Sequence, residues 1–147
     1  MKRLQKLTNL INYFSAFRAP GLDVAPIRVV DQAHATNRLS RKNGVQILIA
    51  RPELQQDGNS DSYTLTYNTC IFVLEKSLGV TNTDEREDEQ FLKLTEIASE
   101  ILTVIENDTT SCRVPEMCGL SLESVNIIPE ASIFGGWNGY SIELSFR

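Results

Sequence analysis

The stretch from Asp84 to Asn107 constrains this chain most, because its apolar residues repeat at a spacing that only a helix can place on one face. Phe91, Leu94, Ala98, Ile101, Leu102 and Ile105 form the stripe, and Ile97 and Val104 widen it. Asp84 reads as the N-cap, with Glu87 closing a capping box and further acids in the first turn, where the helix dipole favours negative charge. Asn107-Asp108-Thr109-Thr110-Ser111 is a run of turn formers that ends the helix. At about 1.5 Å per residue such a helix crosses a small sheet.

The flanking segments switch to a period of two. Tyr63–Glu75 is the strongest strand, with Tyr67, Thr69, Ile71 and Val73 on one face and Cys70, Phe72 and Leu74 on the other. Apolar residues on both faces predict cover from both sides. Val45–Ala50, Leu120–Ile128 (ended by Pro129) and Trp137–Phe146 read as further strands, and Ile27–Val30 as a short extended piece. Residues 53–62 read as a polar loop and 31–43 as a polar connection. Residues 1–18 form an amphipathic helix on Leu4, Leu7, Ile11 and Phe14, packed on its own domain. The expectation is a single α+β domain over 1–147, with a mainly antiparallel sheet of about four long strands carrying the 84–107 helix. Phe72, Leu102 and Leu144 are expected in one core.

A hydrophobic content of 41% with 22% charged residues is ordinary for a globular chain, and no apolar run is long enough for a membrane span. Met1-Lys2-Arg3-Leu4 mimics the basic start of a signal peptide, but Gln5, Lys6, Thr8, Asn9 and Asn12 break any apolar run after it, so a cytoplasmic setting is expected. Three cysteines are too few for a disulfide scaffold; Cys112 and Cys118 share a loop and are close enough in sequence to pair, with reduced thiols the expectation. The single histidine, His34, has no paired nucleophile signature and reads as a loop residue. Gly135-Gly136 and Gly139 precede a strand rather than a helix, which suits a turn better than a phosphate cradle. The residues thus predict no enzyme, no cofactor and no metal.

Charge is divided along the chain. Residues 1–52 hold nine Lys or Arg against two Asp, net +7, and residues 53–147 hold five against seventeen Asp or Glu, net −12. The overall charge of −5 argues against general nucleic-acid binding. Unlike patches on one subunit suit head-to-tail contact between copies, with Arg38, Arg41 and Lys42 as basic participants and Glu85, Glu87, Asp88 and Glu89 as acidic ones.

The element order, with Tyr67-Asn68-Thr69-Cys70-Ile71-Phe72-Val73-Leu74 at its centre and Gly136-Trp137-Asn138-Gly139-Tyr140-Ser141-Ile142-Glu143-Leu144-Ser145-Phe146 at its close, resembles the tail terminator and tail-completion (head–tail joining) proteins of tailed bacteriophages. The resemblance runs from about Val45 onward and lies in topology and size, so it carries no site residue across. It implies a ring, commonly hexameric, that caps the tail tube and joins it to the head connector. Its implied partners are other copies of the chain, the tube and the connector, and its location is the virion, assembled in the host cytoplasm. It implies no cofactor, no membrane and no sequence-specific nucleic acid. The alternatives are a non-enzymatic interaction domain of unknown ligand and another phage tail-tube or neck subunit.

Overall fold

A computed structural model describes residues 2–79 and 83–147; the side chains of Lys2 and Arg3, part of the basic helix start, lie outside the described ones. The elements run α1 (Lys2–Ala16), β1 (Ile27–Val29), α2 (Gln32–Leu39), β2 (Gln46–Ala50), β3 (Glu53–Gly58), β4 (Tyr63–Lys76), α3 (Asp84–Ser111), β5 (Leu122–Ile133) and β6 (Trp137–Phe146). The strands form one six-stranded sheet in the order β1-β2-β4-β6-β5, with β3 pairing β4 on the side that β2 occupies further along. β1 and β2 are parallel and every other pair is antiparallel, so the α+β class holds while the sheet is mixed and richer in strands than expected.

β4 is the central strand, and its alternation sorts the core into two layers. Ile47, Ile71 and Ile142 share one face with Tyr67, Val73 and Leu144, packed under α1 and α3 through Leu10, Phe14, Leu94, Ala98, Ile101 and Ile105. Leu48, Phe72 and Leu74 share the other face, covered by α2 through Ala35 and Leu39, with Trp137 beside them. Phe72 therefore does not join Leu144: they sit on opposite faces of the sheet, and only the half-buried Leu102 packs with Leu144.

α2 replaces the polar connection read over 31–43. Its N-cap is Asp31, which accepts from the His34 backbone N–H at 2.8 Å, and only Ala35 and Leu39 are buried, too few to make a periodic signal. β3 replaces the expected loop: Glu53–Gly58 is polar and exposed, and pairing with Tyr63–Asn68 rather than burial makes it a strand. α3 starts on a Thr83 cap, whose hydroxyl accepts from the Arg86 N–H at 3.3 Å, so Asp84 is not the cap. It runs on to Ser111, because Thr109 and Thr110 direct their hydroxyls back to the Glu106 carbonyl and stay helical. Pro129 does not end β5; it lies within an edge strand, where proline is tolerated. Cys112 and Cys118 are joined in a disulfide, against the expected reduced thiols; the loop they close carries the fully buried Met117 toward α1.

Two attachments place α3. At its start the buried Gln90 donates to the Lys76 carbonyl (2.9 Å) and to Glu75 (3.1 Å) and accepts from Asn138 (3.3 Å). Near its end Asp108 accepts from the Tyr13 hydroxyl at 2.6 Å, tying α3 to α1. Burial, reinforced by that carboxylate, pushes the Tyr13 phenol far above its ordinary 10.0.

Ile101 has no exposed surface whereas Leu102 is half-buried, so Ile101→Ala is expected to cost about 2–5 kcal/mol and Leu102→Ala distinctly less in denaturant melts. Equal losses would mean that the helix face is misassigned. A phenol held protonated in the folded state contributes stability that is present below the unfolded pKa near 10 and lost as pH rises beyond it. Tyr13→Phe should therefore cost about 1–2 kcal/mol at pH 7 yet lose stability less steeply than the parent above about pH 10, by up to roughly 1.4 kcal/mol per pH unit. Parallel alkaline curves would exclude the Tyr13 contribution.

Candidate functional site

The two charged clusters named from the sequence lie apart on the surface. α2 carries Arg38, and Arg41 and Lys42 follow it in an exposed turn, on the β1–β2 side of the sheet. None of the three meets a carboxylate among the described residues. Arg28, on the outer strand β1, donates to the Ser15 hydroxyl at 2.9 Å rather than to an acid. On the other face of the sheet α3 opens with Glu85, Glu87, Asp88 and Glu89, most of them exposed. The basic turn and the acidic helix start thus lie on opposite faces of one sheet and do not meet within a chain. An ion pair does form between Lys93 and Glu75 at 2.5 Å, and it joins α3 to the end of β4.

The sheet ends differently on its two sides. Toward β2, the β3–β4 ribbon runs beyond the last β6 pairing, at Tyr67 and Phe146, and projects with most side chains exposed, while Leu54 and Leu65 pack back on the core. At the opposite side β5 forms a twelve-residue edge, and Val125 and Ile127 remain 37% and 44% exposed on it. α3 lies on β4 and β6, so β5 extends past the helix that covers its neighbours.

On the face that α2 covers, the part of the sheet beyond α2 is polar. Asn68 accepts from the Ser145 hydroxyl at 2.7 Å, and Glu130 from the Ser141 hydroxyl at 3.0 Å. A shallow hollow of about 370 Å³ there is lined by Val30, Arg51, Glu53, Asn68, Cys70 and Glu143, among others. Cys70 is half-buried in its floor; burial first, then the Glu143 and Glu130 carboxylates, push its thiol up to about 12. A thiol held in that state is a poor nucleophile. His34 is taken up by local structure, its Nδ1 accepting from the Val30 N–H at 3.3 Å. Among the described residues no three His, Cys, Asp or Glu side chains stand together to hold a metal ion, and no helix is long and apolar enough to cross a membrane.

Sequence reasoning named the charged residues but missed the surfaces between them. The β5 edge was legible only in part, since Val125 and Ile127 alternate like core residues and nothing local reveals that α3 stops short of them. Alkylation tests the Cys70 environment: in the oxidised protein at pH 8, iodoacetamide should react about a thousandfold more slowly than with a free thiol of pKa 9.0. Reaction at the free-thiol rate would place Cys70 in solvent.

No protein-family profile matches this chain, and no curated protein matches it in sequence.

Proposed function

We propose that this chain is a non-enzymatic structural subunit of a phage tail, which associates head to tail into a ring at the end of the tail tube and joins the tube to the head connector. One observation carries the reading: the basic α2 turn and the acidic α3–β5 surface lie on different sides of one sheet, unneutralised by each other. Unlike surfaces on one subunit generate heterologous contacts, which close into a ring when the rotation allows. The observed order of a central long strand, a long acidic helix and two closing strands supports the resemblance to tail terminator and tail-completion proteins. In such a ring the acidic surplus suits a passage through which DNA moves without sticking.

Exposed ion pairs are each worth only about 0–1 kcal/mol, so apolar burial supplies most of the affinity while charge sets orientation. Association should therefore weaken without vanishing as salt rises from about 0.05 to 0.5 M, over which the screening length falls severalfold. Light scattering across a concentration and salt series reads this directly, and negative-stain images should show closed rings. Arg41→Glu combined with Lys42→Glu should weaken association at low salt by about tenfold if the patches meet. A monomer at every concentration and salt would overturn the ring.

A further inference from the structure

The acidic side of the molecule holds a better docking site than the helix start. Among the described residues, the outer edge of β5 pairs with no other strand. Val125 stands opposite Leu144 and Ile127 opposite Ile142, which places both on the face that α3 covers elsewhere. They are exposed because α3 rests on β4 and β6. Beside Val125, between the last turns of α3 and the start of β5, lies a hollow of about 450 Å³. Leu120, Leu122 and Val125 give it apolar walls, and Glu106 and Glu123 stand on its lining. An apolar trough bordered by two carboxylates matches an arginine side chain, whose methylene stem takes the apolar wall while the guanidinium takes the acids. By contrast, among the described residues the first turns of α3 carry one exposed large apolar side chain, Leu92.

The chain itself carries arginines suited to this trough. Arg38 and Arg41 are exposed, meet no carboxylate among the described residues, and lie on the β1–β2 side of the sheet, away from β5. We infer that the β5 edge, with its Glu106–Glu123 hollow, receives the Arg38–Lys42 turn of a second copy of this chain. The inference rests on the head-to-tail reading above and names its acceptor surface. In that contact Val125 and Ile127 supply the apolar burial, and Glu106 and Glu123 face the incoming arginines. The strand edge and the basic turn belong to opposite sides of the subunit, so each copy keeps one of each free for the next.

Charge exchange between two variant chains tests the pairing. One chain carries Arg38→Glu and Arg41→Glu, the other Glu106→Arg and Glu123→Arg; all four side chains are exposed. Each alone should need about tenfold more protein to associate than the parent, because like charges face each other at every contact. An equimolar mixture should associate within about threefold of the parent, since every contact is then either native or fully exchanged. Rescue also demonstrates that both variants are folded. Weakening of each without rescue on mixing overturns the docking but leaves the head-to-tail reading standing, as does association unchanged in the Glu106→Arg, Glu123→Arg chain. In a second measurement, Ile127→Cys should not cross-link copies through its own thiol. Covalent dimers of that single variant would mean that β5 meets β5, and would overturn the inference. A parent chain that stays monomeric overturns both readings.

Discussion

β4 must be buried on both faces, and most of the architecture follows from that. Its fourteen residues pair with β2 and β3 along one side and β6 along the other. Tyr67, Ile71 and Val73 require one cover, which α1 and α3 provide, and Phe72 and Leu74 require a second, which α2 provides. α2 is only eight residues long, too short to persist unless packed, so Ala35 and Leu39 are held by the apolar face they conceal. Where β4 continues past the end of β6, the cover thins to Leu65 and its neighbour Leu54, and the strand goes on as a ribbon paired with β3 alone. The projecting ribbon is thus what remains when a strand outlasts its layers.

The register of that sheet is pinned where α3 enters it. Gln90 spends its amide on Lys76, Glu75 and Asn138, and Asn138 in turn accepts from the Ser132 N–H at 2.8 Å, so one buried polar chain links α3, β4, β6 and the β5 bulge. Each group is costly to leave unpaired once buried, so a slip of one residue is opposed by several bonds at once. Gly139 serves the same junction. It has φ 155°, and a Cβ there would overlap the Val73 carbonyl oxygen, so only glycine lets β6 approach β4 at this point.

What the sequence disclosed divides along physical lines. The Leu94–Ile105 stripe, the double-faced alternation of β4 and the strand Trp137–Phe146 were legible because burial writes a period into residues that are close in sequence. α2 escaped because two buried residues make no period, and β3 escaped because a strand formed by pairing alone leaves no apolar mark. Thr109 and Thr110 misled because their hydroxyls can serve a turn or return to a helical carbonyl, and only the tertiary setting decides. Of the candidate site, Arg38, Arg41 and Lys42 were visible as a cluster, but Glu106 and Glu123 lie seventeen positions apart and share a hollow only because the α3–β5 loop folds back.

Topology converts the charge order of the chain into a charge order in space. The first 52 residues build α1, β1, α2 and β2, and the sheet places β1 and β2 together on one side, with β6 and β5 on the other. A sheet that interleaved the two halves of the chain would have brought net +7 and net −12 together and cancelled them internally. The observed order keeps the α2 turn apart from α3 and β5, while α1 packs beside α3 and the acidic ribbon hangs beside β2. Folding gains little from these charges, since apolar layers and buried amides hold the elements, and Arg38, Arg41 and Lys42 stand in solvent without partners among the described residues. Charges separated in this way are available to act between molecules, as the proposed head-to-tail contact requires. In that proposed contact, over a screening length of about 8–10 Å, they would bias how two copies approach before an apolar surface such as Val125 and Ile127 met its partner.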